Sequence, residues 1–246
     1  MHDVIDIRAG EGVLDIFLTD PEGGNLISNE AGERIIAALA GLDPAVRLVR
    51  ISSSGATFCL GRVSPMPKPG AVVTGHGLKT RVAEPALAVY SALRETRVPV
   101  LAVVRGAAHG FGAGLVAASD IAIATPAARF AIPEMARDIP PVLVMTAMLG
   151  RVSPKAVADL VIGQHEIDAH AALVHGLVSR VVADEALDEA VTALTAKALA
   201  ASAEAISAVK EYWRTAPGLP YAAASGLAAN LAGAALSARF GKAGPA

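Results

Sequence analysis

The chain has 246 residues, 53% of them apolar, a formal charge of −2 and one cysteine. That length assures a sizeable core, and the near-neutral charge without a long basic run argues against nucleic acid as the main partner. A lone Cys59 excludes an internal disulfide and suits a reducing compartment. With no apolar signal core after Met1-His-Asp-Val-Ile-Asp, the cytoplasm is the expected location.

Val4–Ile7 and Val13–Leu18, separated by Ala9-Gly-Glu-Gly12, read as a strand pair joined by a glycine turn. Pro21–Gly24 breaks the chain, and Ser28 or Asn29 is placed to cap a helix over Glu30–Leu42. Val46–Ile51 is a strand that leads into Ser52-Ser-Ser-Gly-Ala-Thr57. A Pro/Gly-rich loop follows from Ser64 to about Gly77, with His76 and Lys79 placed to join a mobile cover. A helix is predicted over Val82–Glu95, then a buried strand over Val98–Val104. Next come the glycine turn Gly106-Ala-Ala-His-Gly-Phe-Gly-Ala-Gly114, a helix, and a short strand over Asp120–Ala124. The remainder reads as helical, most clearly Ala186–Arg214. No segment has the roughly 20 apolar residues of a membrane span. Strands alternating with helices before a helical tail predict an α/β core, residues 1–185, with a C-terminal helical region, residues 186–246, as one structural unit.

A strand, a glycine turn and a helix start aim bare N–H groups and the positive end of a helix dipole at one point, which favours a negative charge there. A dinucleotide fingerprint fits poorly, because Leu115 stands where G-x-G-x-x-G needs its last glycine and no acidic residue follows at the expected distance. Gly241-Lys242 lacks the Ser or Thr of a phosphate-binding loop, and no G-x-S-x-G marks a hydrolase. His165, His170 and His175 step by about 140° around a helix and share no face, so no metal site is expected. Cys59 reads as a small core residue.

Two turns, Thr57–Arg62 and Gly106–Gly114, each follow a predicted strand and can each offer an unpaired backbone N–H. Two converging donors form an oxyanion hole. Phe130-Ala-Ile-Pro-Glu-Met135 adds a carboxylate. Glu134 just after Pro133 also fits an ordinary helix start with no chemistry. Its neighbours Phe130, Ile132 and Met135 would desolvate it, however, and raise its pKa toward that of a general base.

In their order and spacing, five segments together resemble the enoyl-CoA hydratase/isomerase (crotonase) family. They are Ser54–Gly61, Val98–Gly106, Gly110–Gly114, Ser119–Ala124 and Phe130–Glu134, and Ala169–Val178 resembles the stretch before that family's last helices. The resemblance implies a spiral of ββα units with a C-terminal helical region, assembled as a homotrimer or a dimer of trimers. It implies a coenzyme A thioester as substrate and no resident cofactor. The thioester oxygen would lie between the N–H groups of Leu60 and Phe111, with Glu134 as acid/base. Gly61, Arg62, Gly110, Gly114, Ile132 and Asp138 are the expected substrate contacts, with Asp138 either assisting Glu134 or simply solvated. Arg62 is expected to reach a coenzyme phosphate or to face solvent, and His109 to line the site or hold structure. The family's usual second glutamate falls at Gly114. A single carboxylate fits double-bond isomerisation slightly better than hydration. A non-catalytic thioester-binding homologue is the alternative that Phe111 and Gly114 keep open.

Overall fold

The computed structural model describes residues 4–63, 66–67 and 70–241. Strands β1 (Ile5–Gly10) and β2 (Val13–Leu18) form the expected antiparallel pair, closed by Gly10 opposite Val13. Helix α1 (Asn29–Ala40) begins where Ser28 accepts the Ala31 N–H, which settles its cap. β3 (Leu48–Ser53) and β4 (Thr57–Cys59) follow. Helix α2 (Gly75–Leu78) runs through a π-helical stretch, Lys79–Ala83, into α3 (Glu84–Glu95), so this helical region starts earlier than Val82. Of the expected mobile cover, Ser64, Pro65, Lys68 and Pro69 lie outside the described residues, while Lys79 pairs with Glu84 at 3.4 Å.

β5 (Val100–Val104), β6 (Ala107–His109) and α4 (Phe111–Ala118) come next. The glycine turn therefore contains a short strand that its composition hides. β7 (Ile121–Ala124), β8 (Arg129–Ala131) and a 3-10 turn at Pro133–Arg137 lead to α5 (Val142–Met148) and α6 (Pro154–Ile162). The chain closes with β9 (Ile167–Asp168), α7 (Ala169–His175), β10 (Arg180–Val181), α8 (Leu187–Ala200), α9 (Ala203–Thr215) and α10 (Tyr221–Phe240). The long helical run predicted over Ala186–Arg214 is interrupted at Ala201, after which Ser202 caps α9 through the Ala205 N–H.

β3, β5 and β7 sit in a six-stranded sheet of order β1-β2-β3-β5-β7-β10, and each is followed by a strand of a second sheet, β4-β6-β8-β9. Each pair then gives way to helix, which is the ββα spiral. β5 is buried on both faces, as a central parallel strand covered on two sides should be. Val100, Ala102 and Val104 join the core beneath α1, α3 and α4. Leu101 and Val103 meet Leu187 and Val191 of α8 on the other face. α9 is tied to this body by Lys210, 6% exposed, whose ammonium pairs with the Asp120 carboxylate beside Arg151. No residue of α10 is buried, and no helix among the described residues is long and apolar enough to cross a membrane.

The second sheet sets the spacing that matters for function. β4 and β6 pair in parallel, and the first turn of α4 lies on the end of β4. A β-carbon at Gly112 would fall 2.1 Å from the Cys59 carbonyl oxygen. Gly112→Ala must therefore push α4 off β4, at a cost of about 1–3 kcal/mol, read as a lower urea midpoint. A midpoint equal to that of the parent would mean that the two elements are not in contact.

Candidate active site

The site is built around the start of α4. Gly110, with φ 50° and ψ −115°, turns the chain from β6 into the helix. It leaves Phe111 as the first helical residue, with an N–H that has no intrahelical acceptor. A β-carbon on Gly110 would sit 2.5 Å from Glu134 Oε1, so only a bare α-carbon lets that carboxylate approach. The 3-10 turn carrying Glu134 aims it here: Pro133 starts the turn, and Asp138, with φ 54°, ends it by donating its N–H to the Met135 oxygen at 3.0 Å. Among the described residues Glu134 Oε2 is buried without a hydrogen-bond partner. Burial pushes the Glu134 carboxyl above its ordinary range. Its own backbone N–H and the charges of Arg137 and His109 pull the other way. His109 itself lies 3.0 Å from Glu166, outside the carboxylate's hydrogen-bonding circle.

The second donor differs from expectation. The Leu60 N–H is taken by the Gly24 carbonyl at 2.8 Å, so Leu60 is not a free oxyanion donor. Gly61 causes this. Its φ of 137° swings the chain so that the Leu60 N–H, the Gly61 carbonyl and the Val63 N–H all face residues 24–27. The bonds from Ile27 N to Gly61 O at 3.1 Å and from Val63 N to Ile27 O at 3.0 Å flank Arg62. Its own N–H therefore points to the other side. Among the described residues the N–H groups of Arg62 and Phe111 have no acceptor. The sequence offered no signal for Asn25, which fixes this strip. Its side-chain amide donates to the Thr57 and Phe58 carbonyls at 2.9 and 3.0 Å.

The Arg62 side chain fits neither of its two expectations. Its guanidinium turns inward, half-buried, to the Val82 carbonyl at 3.0 Å and Asn29 Oδ1 at 2.5 Å, and lies over the Phe111 ring at 5.5 Å. Burial lowers its pKa from the ordinary arginine value. Two other expected contacts are also corrected. Ile132, 1% exposed, belongs to the core. A β-carbon at Gly114 would be 2.1 Å from the Tyr90 hydroxyl, so Tyr90 covers the place where a second acid would project. Tyr90 donates to the Phe111 carbonyl at 3.3 Å and stacks on its ring at 4.9 Å. Spaced with Ala86, Val89 and Leu93 on the buried face of α3, it reads in sequence as ordinary core. Asp138 is exposed, makes no bond to Glu134 through its side chain and terminates the turn. Gly61 is buried, yet no atom lies within 4 Å of the point where its β-carbon would be. Burial lifts the Cys59 thiol to about 12 and rules it out as a nucleophile. No group of three or more metal-binding side chains exists among the described residues.

Paired N–H donors beside a desolvated carboxylate can stabilise an oxyanion while moving a proton. The enoyl-CoA hydratase/isomerase family model matches residues 8–237, and the chain belongs to that family. A Mycobacterium tuberculosis protein named "Probable enoyl-CoA hydratase EchA14" is 31% identical over 219 residues, 87% of this chain and 82% of its own length. The rat mitochondrial enoyl-CoA hydratase domain-containing protein 3 is 30% identical over 195 residues, 77% of this chain. The match spans 63% of the rat protein's length, less than two thirds. Among solved structures, a Thermobifida fusca protein in complex with CoA superposes with a TM-score of 0.86 at 28% identity, covering 98% of this chain and 95% of its own.

The raised Glu134 pKa has a thermodynamic consequence. Just above the ordinary carboxylate range the folded protein holds a proton that the unfolded chain has released, so stability falls as pH rises through that window. Glu134→Gln should lose this slope and keep one urea midpoint across that window. Urea unfolding at a series of pH values reads both, and a variant that keeps the parent's slope would contradict the assignment.

Proposed function

We propose that the protein is an acyl-CoA enzyme that forms a thioester enolate and moves protons with Glu134 alone. The thioester oxygen would accept the N–H groups of Phe111 and Arg62, whose partnerless state supports this role. The observation that carries the reading is the buried, unpartnered Oε2 of Glu134, set against Gly110 at the same turn. With a 3-enoyl thioester, the Glu134 carboxylate takes a proton from C2 and the electron pair moves onto the thioester oxygen. The resulting dienolate takes the same proton back at C4, leaving the 2-enoyl product and a regenerated carboxylate. Tyr90 over Gly114 favours this bond migration above hydration, because no second carboxylate stands there to activate water. The likeness to a protein solved with acetoacetyl-CoA, at 27% identity and a TM-score of 0.82, supports a thioester ligand with an acidic α-carbon. Gly61 and Gly110, the glycines of the two donor turns, are the backbone that the thioester would meet.

We also place the chain in a homotrimer or dimer of trimers, where an otherwise unburied α10 would be covered, and in the cytoplasm, which suits a lone buried thiol.

Deuterium exchange at C2 and product analysis with 2-enoyl- and 3-enoyl-CoA esters test the reading. The protein should exchange the proton and migrate the bond, with a rate that rises as pH passes through the raised Glu134 pKa. Glu134→Gln should lose about 10²-fold or more and the pH dependence with it. Full turnover by that variant would defeat the single-base mechanism. Binding without exchange would make the protein a non-catalytic thioester binder, and oxygen from solvent in the product would make it a hydratase.

A further inference from the structure

The two residues proposed to offer N–H groups to the thioester oxygen also touch through their side chains. The guanidinium of Arg62 lies 5.5 Å from the Phe111 ring centroid, and that ring stacks on Tyr90 at 4.9 Å and 26°. Each end of this row is anchored elsewhere. Arg62 is held by Asn29 at the start of α1 and by the Val82 carbonyl in the π-helical stretch before α3. Tyr90, 2% exposed, is buried in α3 and bonded to the Phe111 carbonyl. Among the described residues Arg62 makes no ion pair with a carboxylate. A half-buried guanidinium satisfied only by neutral oxygens and a ring face is costly unless its position serves something.

An oxyanion hole works only if its donors are fixed before charge develops, at hydrogen-bonding distance from the place the oxygen will occupy. Here the donors come from two separate turns. The Gly61 turn is held on one side by its backbone bonds to residues 24–27, and on the side facing α4 the Arg62 side chain is what reaches across to Phe111.

We propose that the Arg62 guanidinium is a positioning group that locks the Gly61–Arg62 turn to the start of α4 and so sets the spacing of the two oxyanion donors. Phe111 is its seat and Tyr90 its backstop. The inference rests on the enolate-forming reading above. It adds that a side chain, and not the backbone fold alone, organises the hole. Substitutions at Arg62 and Phe111 leave both backbone N–H groups in place, so they isolate what the side chains contribute.

The test uses the full chain and cinnamoyl-CoA, an unsaturated aryl thioester with no C4 proton to migrate. Its absorption shifts to the red when its carbonyl is polarised by hydrogen bonds. The parent protein should shift the bound ligand's band. Arg62→Met should at least halve that shift, with the dissociation constant for CoA itself changed by less than about 3-fold. With a 3-enoyl-CoA ester as the exchanging substrate, kcat should fall about 10-fold, part of the roughly 10²–10³ lost when a donor is removed outright, while KM moves little. Arg62→Lys, which also sets a cation over the ring, should recover part of the shift. Phe111→Gly should mimic Arg62→Met, and the double variant should be no worse than either alone, because both remove one contact. Asn29→Ala cuts a tether of Arg62 at a distance and should give a smaller loss of the same sign, even if Arg62→Met folds poorly. A red shift in the parent that survives unchanged in both Arg62→Met and Asn29→Ala, or losses that simply add in the double variant, would overturn the proposal. No red shift in the parent would instead defeat the oxyanion site itself, and the brace with it. A purely structural arginine would lower the melting temperature and leave the shift of the folded protein intact.

Discussion

The Glu134 carboxylate rests against the bare α-carbon of Gly110, and the rest of the site depends on that contact. Gly110 is the last residue before α4, so the same backbone turn that admits the carboxylate also releases the Phe111 N–H. The residue that the Glu134 carboxylate approaches and the residue with the free N–H are thereby adjacent in the chain, and a side chain at Gly110 would push the carboxylate away. The carboxylate is accepted there without a partner for Oε2, an unfavourable burial that raises its pKa.

Around this contact the fold supplies stiffness. β6 and β8 pair in parallel, so the end of one leads to Gly110 and the end of the other to Pro133 and Glu134. The Gly110 N–H donates to the Ala131 carbonyl at 2.9 Å, clamping the two turns together. On the opposite flank β4, pressed against Gly112 through Cys59 and held by Asn25, leads into the Gly61 turn. Three short strands of the second sheet thus each end in one part of the site. The larger sheet mainly provides the core that holds them, with β5 buried on both faces.

Much of this was legible in the sequence because glycine and proline mark the turns. The glycine-rich stretch located α4 and Phe111, and Pro133-Glu134 located the turn that carries the buried carboxylate. The free N–H of Arg62 was not legible at that level. Leu60 and Arg62 stand two apart and would face the same way in a regular strand. Only the φ of Gly61 and the pairing with residues 24–27, distant in sequence, turn one toward protein and the other away. Tyr90 escaped for a different reason. Its spacing on α3 is that of a core residue, which it is, and its proximity to Gly114 arises from helix packing that periodicity does not encode. Gly114 itself reads as a gap in sequence, whereas the structure shows it filled. A short strand within a glycine turn and a helix break at Ala201 were likewise hidden, the first by composition and the second by an unbroken apolar and charged pattern.

The central claim is that the thioester oxygen lies between the Phe111 and Arg62 N–H groups, with Glu134 facing C2. A crystal structure of the protein with acetoacetyl-CoA would test it most directly. The account predicts the thioester oxygen about 2.7–3.1 Å from both nitrogens and a Glu134 oxygen against the α-carbon. A thioester oxygen bonded instead to the Leu60 N–H, or an α-carbon out of reach of Glu134, would contradict it.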